Sequence, residues 1–234
     1  MRLLAVDTST QACGVAVVDG QGLLSESLFA SRQTHSRHLL SMIDETLARC
    51  GLALSDMEGF AVTCGPGSFT GLRIGMSVVK ALAETCGARI AGIPTLEALA
   101  FGARNCHVHV LPMLDARKGE VYSGLYVSDG NGVAEVETPQ AISPEGLLQK
   151  IAEPVLCIGS GASVYRETIV ETLGDLAAFS SDHEVLRPSV VAELGLRCFA
   201  SGEAVDPAGL VPIYLRKSDA EMALEKRMAL EGHE

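Results

Sequence analysis

Residues 3–20 read LLAVDTSTQACGVAVVDG, and residues 108–130 read VHVLPMLDARKGEVYSGLYVSDG. Both follow one plan: an apolar run closed by an aspartate (Asp7, Asp115), a polar turn, a second apolar run, then Asp-Gly (Asp19-Gly20, Asp129-Gly130). Short apolar runs between turn residues read as strands, and Asp-Gly marks a hairpin. A further run from Leu23 predicts an antiparallel meander of three strands at the start of the chain. Internal duplication is the economical explanation of the repeat; two unrelated hairpins are the alternative. The expectation is an α/β protein of two lobes, each a mixed sheet flanked by helices, with a cleft between them.

Leu39, Leu40, Met42, Ile43 and Leu47 recur at helical spacing, so 36–50 reads as a helix with Gly51 just past its end. Ser55 and Glu58 have the spacing of a capping box. Phe60–Cys64 reads as a buried strand, about 71–86 as a strong helix closed by Gly87, 89–93 as a strand and 96–104 as a helix. Alternation of strand and helix implies parallel strands with crossovers. In the second half Ser143-Pro144-Glu145 starts a helix, 155–158 is a strand, and 162–173 and 188–200 are helices. The expected divisions are a first lobe over 1–105, a second over 106–202, and a tail over 203–234 ending in a charged helix.

Hydrophobic residues make up 47% of the 234 and charged residues 20%, inside the globular range. The apolar mass is aliphatic, which suits buried parallel strands. A formal net charge of −11 argues against a free-standing nucleic-acid binder, since phosphate contacts need a basic footprint. It leaves room for a subunit whose partner carries that footprint. The seven cysteines include no CxxC pair and lie mostly in apolar runs, which predicts reduced thiols in a cytoplasmic protein. The opening apolar run is too short for a signal-peptide core, and no run approaches the roughly 18 residues of a membrane span.

The turn Asp7-Thr8-Ser9-Thr10, with Gly14 on the returning strand, has the form by which the actin, Hsp70 and sugar kinase superfamily holds nucleotide phosphates. An ordinary hairpin whose Asp and Thr bond their own backbone is the competing reading. Serine at position 9, and Ala116-Arg117-Lys118 after Asp115, make the turn look worn, because close approach to phosphate favours glycine. Gly159-Ser160-Gly161, between a strand and a helix, would let an adenine or ribose approach the backbone or would simply make a tight connection. A vestigial nucleotide site would thus use Asp7, Thr8, Ser9, Thr10, Asp115, Gly159 and Gly161.

GPGSFTGLRIG, residues 65–75, is neither a P-loop nor a nucleophile elbow: its Gly65–Gly71 spacing and its Leu72-Arg73 fail the first, and Gly67-Ser68 fails the second. Thr70 is a candidate helix cap. Gly71 and Gly75 lie one turn apart and bare a stripe of backbone, at about 1 kcal/mol per glycine relative to alanine. A close helix–helix contact is expected there, inside the fold or across an interface. His35 and His38, and His107 and His109, form pairs without a third ligand in a recognised frame, so no metal site is predicted. No catalytic Ser–His–Asp arrangement is legible either.

LLAVDTSTQACGVAVV, HSRHLLSMIDETL, GPGSFTGLRIG, GIPTLEALA and DARKGEVYSGLY resemble, in order and spacing over about residues 1–127, the TsaB (YeaZ) family, and YLRKSDA echoes its tail. The resemblance implies an actin-like (ribonuclease H-like) duplicated fold and a cytoplasmic, non-catalytic role in making threonylcarbamoyladenosine next to the tRNA anticodon. It implies work with a catalytic TsaD subunit, the TsaE ATPase and a TsaC-type enzyme, with tRNA met only through the complex, and a homodimer when free. TsaD carries an HxxxH metal motif; His35-Ser36-Arg37-His38 is one residue short of it. The family pairs through two helices of the first lobe, which points to Leu39, Met42, Ile43, Gly71, Ile74, Gly75 and Val78 as interface residues. No cofactor is expected beyond weak ATP or ADP binding in the cleft or at the partner interface. An ATP-dependent phosphotransferase or ATPase using Asp7 and Asp115, and a metallopeptidase, are the competing functions.

Overall fold

The computed structural model describes residues 1–30, 37–180 and 184–216; the expected final helix, His35, Ser36, His183 and His233 lie outside them. Strand β1 (Leu3–Asp7) is buried along its whole length because it runs through the middle of a five-stranded sheet. β2 (Ala12–Asp19) returns antiparallel to it, pairing Leu3 with Val18 and Asp7 with Gly14, and β3 (Gly22–Ala30) completes the meander. β4 (Gly59–Gly65) joins the other side of β1 in parallel, followed by β5 (Arg89–Pro94), giving the order β3-β2-β1-β4-β5.

The second half repeats this plan. Its strands are β6 (His109–Arg117), β7 (Glu120–Ser128), β8 (Val133–Ile142), β9 (Val155–Ile158) and β10 (Ala177–Phe179). Their order, β8-β7-β6-β9-β10, equals the first with every strand moved on by five, and the parallel and antiparallel pairings match. Chance hairpins would not share a whole topology, so the duplication seen in the sequence is real. Two strands were silent there: β8 is an edge strand without a buried residue, and β10 has three residues.

The helices are α1 (Leu39–Arg49), α2 (Phe69–Cys86), α3 (Thr95–Gly102), α4 (Pro144–Leu148), α5 (Ser160–Val164), α6 (Arg166–Leu173) and α7 (Pro188–Ser201). Strand side chains alternate between faces, so Leu4 and Val6 meet α1 and α2, while Leu3 and Ala5 meet the opposite layer. That layer is α3 and α7, which share one apolar cluster with Leu114 and Ile158 of the second sheet. Helices α4 and α6 cover the far face of the second sheet through Leu147, Leu148, Ile169 and Leu173. The arrangement is five layers: helices, sheet, helices, sheet, helices. A boundary at 105/106 separates the two sheets, yet α7, from the second half, packs on the first.

Three local expectations need correction. α2 begins at Phe69 and is capped by Ser68, whose Oγ accepts from the Gly71 N–H at 3.2 Å, not by Thr70. The single helix expected over 162–173 is two, because Tyr165 leaves helical geometry at φ −103°, ψ 22° and swings Ile169 and Leu173 onto the cluster beneath the second sheet. Ser55 and Glu58 form no capping box: a 3-10 turn, Leu54–Asp56, stands there, and the Glu58 carboxylate accepts from the Arg2 N–H instead.

Candidate functional site

The turn after β1 is shut by its own side chains. Asp7 Oδ1 accepts from the Ser9 N–H at 2.9 Å, the Ser9 hydroxyl at 2.6 Å and the Thr63 hydroxyl at 2.8 Å. Asp7, Thr8 and Ser9 are essentially inaccessible to solvent. Their lid is segment 65–71, the loop after β4 with the first turn of α2: the Ser68 N–H donates to the Ser9 carbonyl at 2.7 Å, and the Thr8 hydroxyl donates to the Gly71 carbonyl at 2.8 Å. A side chain on Gly67 would overlap the Ser9 carbonyl, and one on Gly75 would overlap Thr8 Oγ1. A phosphate-binding turn must offer free N–H groups to its ligand. Here the Ser9 N–H is taken by Asp7 and the Ala12 N–H by Thr10 Oγ1. The hairpin reading, an Asp bonding its own turn, is the one the geometry realises.

These contacts also settle which way the glycine stripe points. Gly75 faces inward onto Thr8, and Gly71 meets Thr8 through its carbonyl; this is a close helix–turn contact and not a helix–helix one, and both glycines are buried. Leu39 and Ile43 are likewise core, because α1 sets its 39–43–47 stripe against the first sheet. Of the seven residues expected at an interface, Met42, Ile74 and Val78 retain partial exposure. Ile74 and Val78 line an open groove of about 490 Å³ along α2, together with Phe69, Thr70, Arg73 and Ser77.

The roles of Phe69 and Arg73 in this lining, and of Tyr214 beside them, escaped sequence reasoning. Arg73 stacks its guanidinium over the Phe69 ring at 3.9 Å and donates through Nε to the Tyr214 hydroxyl at 3.2 Å. The Phe69 and Tyr214 rings lie 5.1 Å apart. Only the resemblance of YLRKSDA to a family tail hinted that Tyr214 has a place here.

The equivalent turn of the second lobe is not sealed by its own side chains. Asp115 is exposed, its Oδ1 accepting from the Arg117 N–H at 2.9 Å, and Arg117 and Lys118 both adopt left-handed backbone (φ 61° and 57°). Gly159 and Gly161 do not face the Asp7 turn. A side chain on Gly159 would collide with the Met113 carbonyl, and Gly161 is as close to Met113, so these glycines let β9 and α5 press against β6. On the other side of Gly159 is a cavity of about 260 Å³ whose lining includes Ser163, Arg166, Phe179 and Glu184.

Burial pushes the Cys13 thiol up to about 11, with Asp7 adding to it, and the Cys64 thiol up to about 12. Neither supplies a thiolate nucleophile beside the turn at neutral pH. His38 sits at the start of α1 with its ring 5.1 Å from that of Phe29. Among the described residues no three His, Cys, Asp or Glu side chains converge as a metal site, and no helix is long and apolar enough to cross a membrane.

Residues 24–224 match the family described as "TsaD: tRNA N6-adenosine threonylcarbamoyltransferase". The tRNA threonylcarbamoyladenosine biosynthesis protein TsaB of Bacillus subtilis is 33% identical over 226 residues, 94% of this chain and 96% of that protein. The TsaB of Escherichia coli is 33% identical over 228 residues, with the same coverage. YeaZ from Pseudomonas aeruginosa superposes with a TM-score of 0.80 at 29% identity, over 92% of this chain and 99% of that one. The fold alone extends further, to component A of the (R)-2-hydroxyglutaryl-CoA dehydratase of Acidaminococcus fermentans (TM-score 0.54, 14% identity, 86% and 99% covered). With its actin-like fold and relatives matched along nearly their whole length, this chain belongs to the TsaB (YeaZ) family of tRNA threonylcarbamoyladenosine biosynthesis proteins.

Proposed function

We propose that this chain is a non-catalytic subunit of the cytoplasmic system that forms threonylcarbamoyladenosine on tRNA, and that it docks and stabilises a catalytic TsaD subunit. The observation that carries this reading is the occluded Asp7 turn: of the two carboxylates a phosphotransferase of this fold would use, the first is committed through Oδ1 to Ser9 and Thr63 and sealed from solvent. A protein of this fold without that turn contributes surface, not phosphoryl chemistry. The surface is the outer side of α1 and α2, with Met42, Ile74 and Val78 as its apolar contacts and Phe69, Arg73 and Tyr214 at one end. Arginine and aromatic residues beside an apolar groove match the composition of interface centres. A second copy would use the same face when TsaD is absent. The TsaE ATPase, a TsaC-type enzyme and tRNA are met through the assembled complex, which is how a chain of net charge −11 serves an RNA substrate.

Size-exclusion chromatography with light scattering tests the docking. Wild type mixed with the TsaD of the same organism should elute as a complex, and Val78→Asp, which places a charge in the groove, should remain folded and elute apart. Equal pairing by wild type and Val78→Asp would overturn the assigned surface.

One observation favours a second reading. The cavity beside Gly159, floored by Arg166 stacked 3.9 Å over Phe179, would take an adenine-sized group, so weak ATP or ADP binding without turnover is its prediction. Equilibrium dialysis of labelled ADP against the chain alone tests it; no retention above a bovine albumin control would dispose of it.

A further inference from the structure

After α7 the chain crosses from one lobe to the other in an ordered sequence of contacts. Val205 pairs with Ile90 on β5 through two backbone bonds of 2.8 and 2.9 Å, and Leu210 is buried against Gly92. Ile213 donates its N–H to the Cys64 carbonyl at 2.7 Å, at the carboxyl end of β4, and its own carbonyl occupies the space a side chain on Gly65 would need. Tyr214 lies on Phe69 and Arg73. Arg216 then reaches the second lobe, where Nη2 donates to the Ala116 carbonyl at 2.8 Å and Nη1 to Glu120 Oε2 at 2.7 Å.

The placement matters more than any single bond. In sheets with parallel strands, ligands enter the crevice outside the carboxyl ends of those strands. β4 is such a strand, and segment 65–71 at its end seals the Asp7 turn; Ala116, near the end of β6, and Glu120, which opens β7, flank the equivalent turn of the second lobe. Two residues lie between Ile213 and Arg216, a span of three steps and at most about 10 Å of extended chain. The two related turns are therefore tied at short range across the mouth between the lobes.

We propose that residues 210–216 are a strap that holds this crevice shut, anchored at Ile213 and Tyr214 and clasped by Arg216. The clasp depends on a guanidinium: its two nitrogens serve a neutral carbonyl and a carboxylate at once, which the single ammonium of lysine does poorly. Both partners are partly shielded, with 19% of the Arg216 side chain and 38% of the Glu120 side chain exposed, so the pair is less screened than an open surface bridge. A ligand the size of a nucleoside phosphate enters the crevice only after the strap lets go.

Amide hydrogen exchange on the full chain alone, without any partner protein, tests the strap independently of the docking role. In Arg216→Ala, exchange should accelerate at least tenfold in 210–216 and in 115–121, while β1 and β4 keep wild-type protection. Arg216→Lys should restore part of the loss. Unchanged exchange in either segment would overturn the proposal, and so would a uniform rise that includes β1 and β4. If Arg216→Ala does not fold, Glu120→Gln decides: a rise confined to the two segments supports the strap, and no rise overturns it.

Discussion

Gly75→Ala puts a methyl group where Thr8 Oγ1 now lies, within the buried seam between α2 and the β1–β2 turn. On helix propensity alone the change would stabilise by about 1 kcal/mol, since glycine is the poorer residue inside a helix. Against this stands the overlap. Thr8 must turn away and lose its 2.8 Å bond to the Gly71 carbonyl, a loss of about 1 kcal/mol, with its hydroxyl then buried unpaired. Overpacking of a tight seam adds about 1–3 kcal/mol. The net expectation is destabilisation by about 2 kcal/mol, or roughly 4–8 °C in Tm for a chain of this size. Thr8→Ala removes the obstructing atom; Thr8 Cβ, which stays, lies 3.4 Å from the new methyl, an ordinary contact. The double variant should therefore be more stable than the sum of the single losses predicts, with a coupling of about 1–3 kcal/mol. Urea denaturation of the four proteins reads all of this. A Gly75→Ala chain as stable as wild type, or additive effects in the double variant, would refute the seam.

Two carboxylates give pH-dependent tests. Glu26 accepts from the Ser189 N–H at 2.9 Å and pairs with Arg187, supplying from β3 the cap that α7 lacks in its own Arg187. Burial pushes this carboxyl up, but Arg187 and Ser189 outweigh it and hold it below the usual glutamate range. A depressed carboxyl supports the fold above its unfolded value and is lost as pH falls through its folded value. Glu26→Gln should thus lower stability by about 1–2 kcal/mol at pH 7, and by progressively less below about pH 4, as followed by denaturant melts across pH. Glu97 is the opposite case: burial first, then Glu135 and Glu203, raise its carboxyl. Its charge weakens the fold above that raised value, and the weakening fades as pH falls toward the unfolded value. Glu97→Gln should raise Tm at pH 8 and give no gain near pH 4; a constant gain across that range would contradict the assignment.

Strands β1 and β2 were legible because their burial is nearly complete. Leu3–Asp7 and Ala12–Val18 carry almost no polar residue, and the same plan returns a hundred residues later. The partner of the glycine stripe was not legible. A glycine in a helix announces a close neighbour without saying which, and here the neighbour, Thr8, is 63 residues from Gly71. Leu39 and Ile43 show the same limit, since an apolar helix stripe reads alike whether it meets a sheet or another subunit. Asp7 was recognisable as a special carboxylate, but its commitment to Thr63, 56 residues away, belongs to tertiary structure. The lobe crossing of α7 and the reach of Arg216 to Ala116 have no local signal at all, because each joins segments far apart in the chain, 100 residues in the case of Arg216 and Ala116.

Formation of threonylcarbamoyladenosine on tRNA by purified components tests the central claim most directly, with this chain supplied as wild type, Asp115→Asn or Val78→Asp. A docking subunit predicts full product with Asp115→Asn, whose exposed carboxylate performs no chemistry, and little or none with Val78→Asp, whose groove is spoiled. Loss of product with Asp115→Asn while the complex still assembles, alongside normal product with Val78→Asp, would mean that the crevice between the lobes, and not the outer face of α2, does the work.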